Sequence, residues 1–214
     1  MTAWRILIAV LAWTGVAIQY GLMIHNESWA SGPWKTVEFF SYFTILSNVL
    51  AGVALIAPLV APASGIAAWA EASSTRIATA TYLAITALVY HGLLADIWDP
   101  KGLGLVADTL LHTVTPSAFL ADWLLRGGRG QARWSGAFKA LAFPALFGVW
   151  TLLHGALTDF YPYPFLDVTK RGYPGVVVMM LAMSAGFLVV ALAFTALHRA
   201  RARLAIDRGA PISD

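Results

Sequence analysis

The sequence predicts an all-α membrane protein with six transmembrane helices and with both termini on the cytoplasmic side. Three observations lead to this prediction: an apolar composition, six long apolar windows and an uneven distribution of basic residues. Hydrophobic residues make up 59% of the 214 residues and charged residues 12%, and the mean hydropathy is +0.70. A water-soluble fold of this size would have too little polar surface to cover so many apolar side chains. We therefore expect the chain to lie in a lipid bilayer.

Six apolar windows supply the predicted spans, and together they form one domain over residues 1–214. Each window reaches the roughly 20 residues that a helix needs to cross the hydrocarbon core of a bilayer. The windows cover residues 4–24, 37–61, 75–97, 103–125, 136–157 and 174–198. Segments rich in glycine, proline and serine separate them, as is typical of loops. The first window exceeds the apolar core of a signal peptide, so we expect it to be a span.

The basic residues predict the orientation of the spans, because lysine and arginine concentrate in cytoplasmic loops. With the N-terminus inside, ten of the 14 basic residues fall in cytoplasmic segments and four fall in outer loops. The cytoplasmic set consists of Arg5, Arg76, Arg126, Arg129, Arg133, Lys139, Arg199, Arg201, Arg203 and Arg208. The outer set consists of Lys35, Lys101, Lys170 and Arg171. Both termini are therefore predicted to be cytoplasmic.

The composition also limits the classes of site and partner. The chain has no cysteine, which excludes disulfides and thiolate metal sites. The formal net charge is +3, and no basic cluster is interleaved with aromatic residues in the manner of a nucleic-acid surface. We therefore expect the bilayer and a membrane lipid as partners, and no nucleic acid. The sequence predicts no cofactor and leaves the oligomeric state open.

Polar residues inside the predicted spans carry the functional signal, because ionisable groups within a membrane helix are costly and commonly mark a site. Four spans place such groups in their outer halves. They are Ser41, Thr44, Ser47 and Asn48 in the second span, His91 in the third, Asp108 and His112 in the fourth, and Trp150 and His154 in the fifth. Counted from Val37, Thr44 should lie roughly 10 Å below the outer boundary. In the inner halves only Asp122 is comparable, and its position near the boundary predicts a solvated side chain.

Asp108 and His112 form the most informative pair. At a spacing of four residues on one helix face, the carboxylate can accept from one imidazole nitrogen and leave the other nitrogen free as a base. This arrangement matches the orienting group and the base of a nucleophilic triad. The alternatives are structural. A membrane threonine such as Thr44 can bond back to a carbonyl of its own helix, and a membrane histidine can link two helices.

Three ordered segments give the chain a resemblance to a known family. They are residues 43–48 (FTILSN), residues 108–116 (DTLLHTVTP, with a proline four residues after the histidine), and Trp150 with His154 followed by residues 163–166 (YPFL). With these segments the chain resembles the androgen-induced and androgen-dependent integral membrane hydrolases and their bacterial six-helix relatives. The resemblance implies an atypical threonine hydrolase that cleaves fatty-acid esters of hydroxy fatty acids or related lipid esters. It also implies a bacterial inner (plasma) membrane.

The resemblance assigns the nucleophile to Thr44 and the base to His112. Asp108 stands where the animal members have an asparagine, and it would orient the imidazole and stabilise its charged form. Further candidates for binding the substrate or stabilising the oxyanion are Asn48, Ser47, His91, His154, Trp150 and Tyr163. Lys170 and Arg171 are hypothesised to hold a lipid carboxylate by charge-assisted hydrogen bonds. The site is expected to open toward the non-cytoplasmic side.

Two other functional classes remain open. A zinc-dependent membrane hydrolase is one, because nitrogen and oxygen ligands for zinc are present in His91, Asp108, His112 and His154. The other is a non-enzymatic carrier, in which the buried polar groups bind a lipid or a small molecule. The resemblance favours a site without metal and the threonine chemistry over both.

Overall fold

The computed structural model describes residues 2–25 and 31–207, so Arg208 of the predicted cytoplasmic set lies outside the described residues. Within those ranges the secondary structure consists of helices, with no strand. The α-helices are α1 (Thr2–Ile24), α2 (Gly32–Phe39), α3 (Phe43–Val60), α4 (Gly65–Glu71), α5 (Ser73–Val89), α6 (Leu103–Thr109), α7 (Thr115–Arg126), α8 (Trp134–Lys139), α9 (Ala142–Thr158) and α10 (Val168–Asp207). They are joined by two π-helical turns, Tyr90–Leu94 and Leu110–Val114, and by two 3₁₀ turns, Ala95–Ile97 and Pro164–Leu166.

Six helical runs among the described residues are long and apolar enough to cross a membrane, which confirms the predicted fold class. They cover Thr2–Ile24, Phe43–Val60, Ser73–Ile97, Leu103–Arg126, Trp134–Thr158 and Val168–Leu204. The first, third, fourth and fifth agree closely with the predicted windows, and the sixth is longer at both ends. The direction in which the runs cross the membrane stays a prediction.

The second span is shorter than predicted, because the helix is interrupted between α2 and α3. The Ser41 hydroxyl donates to the Val37 carbonyl at 2.7 Å, and the Ser41 amide donates to the Glu38 carbonyl at 3.0 Å, which tightens the last turn of α2. Tyr42 is then extended, with φ −93° and ψ 127°, and caps α3. Thr44 is therefore the second residue of the spanning helix. The continuous helix from residue 37, from which the depth of Thr44 was counted, is therefore not present, and the depth itself stays a prediction.

The lipid-facing and interior surfaces of the bundle are clearly separated. Leu146, Leu157, Val178 and Leu181 on α9 and α10 expose between 66% and 76% of their surface, as expected for side chains in contact with lipid rather than water. In the interior, α3 lies close to α1. A Cβ at Gly52 would come 2.6 Å from the Trp13 Nε1 atom, so only glycine permits this approach.

Two ends of the bundle differ in chemistry. At the end where α3 begins, here called the site end, the core is aromatic, and Phe43 packs against Tyr82, Phe143, Phe147 and Phe187 with ring centroids 5.2 to 6.0 Å apart. At the opposite end the core is mainly aliphatic and includes Ile8, Ala51, Leu55, Ile77, Leu83, Phe119 and Trp123. The aromatic cluster forms one wall of the site described below.

A buried charge cluster occupies the opposite end. Asp122 is 0% exposed and accepts hydrogen bonds from Arg76 and Arg126, with the Arg5 Nε atom 3.5 Å away. Arg5 also reaches Glu71 at 3.4 Å. The prediction of a solvated Asp122 was therefore wrong, because α1 and α5 bring arginines from distant parts of the chain over the carboxylate. Such a pairing offsets the cost of burying the charge.

Candidate active site

Thr44, His112 and Asp108 form a continuous chain of polar contacts at the site end. The Thr44 Oγ1 atom lies 3.3 Å from His112 Nε2, and His112 Nδ1 lies 3.1 Å from both the carboxylate and the backbone carbonyl of Asp108. Both partners of Nδ1 are acceptors, so Nδ1 carries the proton and Nε2 presents its lone pair to the threonine hydroxyl. Thr44 and Asp108 are 8% and 6% exposed. This geometry is that of a nucleophile, a base and an orienting carboxylate.

The turn that carries His112 is π-helical and is followed by a proline. Pro116 has no N–H, so it cannot donate to the carbonyl of His112, as it would in an α-helix, or to that of Leu111, as it would in a π-helix. In the π register of residues 110–114, where the Thr115 amide donates to the Leu110 carbonyl, the donor for Leu111 would be residue 116. The Asn48 side chain replaces it and donates to the Leu111 carbonyl at 3.1 Å. Single π-helical turns of this kind are frequent at functional sites.

Asn48 therefore has a role different from the predicted one. Its amide nitrogen donates to the carbonyl of Leu111 and also to that of Thr44, at 2.8 Å. Both N–H groups are occupied, so Asn48 has none left for an oxyanion. It links α3 to the His112 turn and thereby sets the distance between Thr44 and His112.

Tyr163 contacts Thr44 from the loop that precedes α10. The Thr44 amide donates to the Tyr163 hydroxyl at 3.2 Å, and this hydroxyl lies 3.4 Å from Thr44 Oγ1. Burial raises the pKa of the Tyr163 phenol, so the group remains protonated and its O–H is available as a donor. A stacked contact with Phe165, at 5.2 Å and 7° between ring planes, holds the ring in place. Tyr163 is thus the described residue best placed to donate to an oxyanion at Thr44.

Tyr90 completes the cluster and was missed by the sequence analysis. Its hydroxyl donates to the Asp108 carboxylate, and its ring stacks on His112 with centroids 4.0 Å apart and planes at 11°. It therefore contacts both Asp108 and His112. The available signal was a phenol inside an apolar span next to His91, because a buried tyrosine hydroxyl normally finds a partner.

A second polar cluster lies beside the first but differs in chemistry. Trp150 Nε1 donates to Ser41 Oγ at 2.9 Å, and His154 Nδ1 lies 3.2 Å from the same oxygen. Because Ser41 already donates its proton to the Val37 carbonyl, His154 must donate to Ser41 and cannot act as its base. The cluster ties the end of α2 to α9. Trp150 and His154 therefore stabilise the interruption between α2 and α3, which precedes Thr44.

The remaining candidates lie away from the nucleophile or are bonded within the bundle. Ser47 donates to the Thr44 carbonyl at 3.0 Å and lies 3.2 Å from the Thr86 hydroxyl. His91 is exposed, and its Nε2 atom lies 3.0 Å from Thr113 Oγ1. Lys170 is 68% exposed and pairs with Asp167 at 3.2 Å.

The four residues of the zinc hypothesis do not converge. His112 faces Thr44, His154 faces Ser41 and His91 faces Thr113. Across residues 2–25 and 31–207 no three histidine, aspartate or glutamate side chains are close enough to share a metal ion. The donor positions therefore favour proton transfer between Asp108, His112 and Thr44 over coordination.

Two cavities have Thr44 in their lining. The apolar cavity, of about 380 Å³, is lined mainly by α5, α9 and α10, with Phe43, Phe147, Met180 and Phe187 among its walls. The larger cavity, of about 680 Å³, extends past His112 toward the ends of α1 and α6. Their shared lining consists of Thr44, Tyr90, Leu94 and Tyr163. Thr44 therefore lines both cavities and His112 and Asp108 line the larger one, and each cavity is large enough for part of a lipid.

Lys170 and Arg171 line neither of these two cavities, although both belong to the part of the chain that the structure describes. The predicted carboxylate contact would therefore lie outside the space that adjoins Thr44. Comparisons of the chain with protein-family models, with curated proteins and with solved structures find no match.

Proposed function

We propose that the protein is an intramembrane lipid esterase in which Thr44 is the nucleophile and His112 the base. The observation that carries the proposal is the contact chain from Thr44 through His112 to Asp108, with Thr44 in the lining of two largely apolar cavities. A threonine hydroxyl is a weak nucleophile and needs an adjacent base. His112 Nε2 is that base, at 3.3 Å.

The reaction proceeds in two steps through an acyl-threonine. His112 takes the Thr44 proton as Oγ1 attacks the ester carbonyl, and the oxyanion accepts a hydrogen bond from the Tyr163 hydroxyl. The C–O bond to the alcohol breaks, and His112 donates its proton to the departing alkoxide. Water then attacks the acyl-threonine, with His112 again taking and returning a proton. Asp108 stabilises the imidazolium that forms in each step.

The two cavities support an ester with a chain on each side of the reacting carbonyl. The apolar cavity suits an acyl chain, because its walls are aromatic and aliphatic. The larger cavity suits the alcohol portion and includes polar groups at its far end. Fatty-acid esters of hydroxy fatty acids have this two-armed form, in agreement with the resemblance of residues 43–48 and 108–116 to the membrane hydrolases.

The proposed orientation directs the site end away from the cytoplasm. The predicted cytoplasmic set includes Arg5, Arg76 and Arg126, and all three lie around Asp122 at the opposite end of the bundle. The positive-inside rule then assigns that end to the cytoplasm. In a bacterial inner membrane the substrate would be a lipid of the outer leaflet.

Replacing the nucleophile tests the proposal. Thr44→Ala should lower ester hydrolysis about 10³-fold or more, and His112→Ala should be as damaging, while the double variant is little worse because residues that act as a unit are not additive. Thr151→Ala is a matched control, since Thr151 is also a buried threonine and lines neither cavity. Hydrolysis of a fluorogenic fatty-acid ester and labelling by a serine/threonine hydrolase probe are the measurements.

The outcome separates the competing functions. A folded Thr44→Ala variant with most of its turnover would contradict the threonine mechanism. Activity lost on chelation and restored by zinc would favour a metal-dependent hydrolase. Lipid binding without turnover in the unmodified protein would favour a carrier.

A further inference from the structure

One charged side chain in the larger cavity has no part in the proposed catalysis. Two charged residues line this cavity, Asp108 and Lys101, and the apolar cavity has none among its described lining. Asp108 is already occupied by Tyr90 and His112. Lys101 lies just before α6, beside Trp98 and Pro100, which line the same cavity. Among the described residues, Lys101 is the basic side chain in the lining of the larger cavity, which Thr44 also lines.

We infer that Lys101 binds a carboxylate at the end of the substrate chain that fills the larger cavity. This assignment rests on the proposed function for the ester itself and adds to it the residue that recognises the free acid group. Lys101 distinguishes an acid substrate from a neutral one. The role that the sequence analysis gave to Lys170 and Arg171 moves to a residue that lines the cavity.

The separation of Lys101 from His112 fits a ligand in which several carbon atoms lie between the acid group and the ester. From Leu103, the start of α6, to His112 the helical rise is roughly 14 Å. A carboxylate at Lys101 is therefore separated from the reacting carbonyl by several methylene groups. Ile97, Trp98 and Leu22 line the cavity along this distance and supply apolar contacts for such a chain.

The existing partner of Lys101 does not prevent this contact. Lys101 Nζ lies 2.7 Å from Asp99, and both side chains are about four-fifths exposed, at 78% and 82%. An ammonium group has three donors, so one can remain on Asp99 while another binds the ligand. Exposed ion pairs are weak, so the contact with Asp99 leaves the ammonium group free to bind a ligand in the cavity that Lys101 lines.

Lys170 provides a matched control. Both lysines are exposed, both pair with an aspartate close in sequence, and both lie at the start of a helix, Lys101 just before α6 and Lys170 in the first turn of α10. They differ in one respect, since Lys101 lines the larger cavity and Lys170 does not. Lys101→Gln and Lys170→Gln therefore remove the same charge in comparable settings.

The experiment compares a palmitate ester of a hydroxystearic acid with its methyl ester, whose acid group is uncharged. The unmodified protein should prefer the acid in kcat/KM. Lys101→Gln should raise KM for the acid about fivefold, the magnitude of an exposed ion pair, and so remove the preference, while Lys170→Gln keeps it. Raising the salt concentration should raise KM for the acid in the unmodified protein, because ions screen exposed charges.

Binding of the non-hydrolysable ether analogues separates this inference from the proposed function. If neither ester is hydrolysed but the ether acid binds more tightly than its methyl ester, and Lys101→Gln removes the difference, the inference stands and the esterase proposal fails. If both esters are hydrolysed and Lys101→Gln affects them equally, the inference is overturned and the esterase proposal stands. An equal loss of preference in Lys170→Gln would also overturn it.

Discussion

The reactivity proposed for Thr44 depends on how its neighbours hold His112. Four contacts act on this base: the Thr44 hydroxyl, two oxygens of Asp108 and the Tyr90 ring. The double acceptor at Nδ1 fixes the tautomer, and the stacked tyrosine fixes the plane of the imidazole. A histidine restricted in this way keeps its Nε2 lone pair on the nucleophile, which is the geometry that general-base catalysis needs.

Tyr90→Phe should separate the effect of the Tyr90 hydroxyl on Asp108 from the effect of its ring on His112. The substitution keeps the ring that stacks on His112 and removes the donor to Asp108. We expect kcat to fall roughly tenfold, since a hydrogen bond to a charged group is lost, with little change in KM. Tyr82→Phe is the control, because the Tyr82 hydroxyl donates to the Ala140 carbonyl at 2.7 Å, away from Thr44. Equal losses in the two variants would show a structural role only.

Among the helices, the connection between α3 and the His112 turn is the critical one. α3 supplies Thr44, and the turn between α6 and α7 supplies His112. The two meet because Asn48 donates to a carbonyl that Pro116 leaves without its helical partner. A buried carbonyl without a donor is costly, so this single side chain stabilises both the bundle and the site.

A rescue experiment tests this connection. Asn48→Ala should lower the free energy of unfolding by about 1–3 kcal/mol, because the Leu111 carbonyl loses its donor. Adding Pro116→Ala restores an N–H to the turn and should recover part of the loss. Thr81→Ala is the control, since its hydroxyl donates within its own helix at 2.9 Å. Thermal unfolding in detergent is the measurement. An additive effect of the two substitutions would contradict the explanation.

For the molecule as a whole, the distribution of charge and the position of the site make one prediction about topology. The loop that contains Lys170 should face away from the cytoplasm, and Ser135 in α8 should face toward it. The chain has no cysteine, so single cysteines can be introduced without background, and both positions are exposed. Lys170→Cys should react with an impermeant maleimide on intact cells, and Ser135→Cys only after permeabilisation. The reverse pattern would place the site on the cytoplasmic side.

The amino-acid sequence was sufficient for features that depend on local composition and spacing. The six spans follow from the length of apolar windows, because a helix must match the thickness of the hydrocarbon core. The contact between Asp108 and His112 follows from their separation by one helical turn. Residue counting along the spans also placed Thr44 at nearly the same level of the bundle as His112, and the two side chains are in contact. It did not predict that the helix is interrupted between α2 and α3.

Packing between helices that are distant in the sequence determined the rest. His154 and Trp150 contact Ser41 rather than Thr44, and Tyr90 approaches Asp108. These contacts depend on how each helix is rotated in the bundle, and in a membrane packing and interhelical hydrogen bonds set that rotation. Pro116 leaves the Leu111 carbonyl without a donor, but the partner that Asn48 gives it exists only once α3 crosses the His112 turn. Residue spacing sets neighbours along one helix, whereas contacts between helices depend on rotation and crossing angle, which many side chains set together.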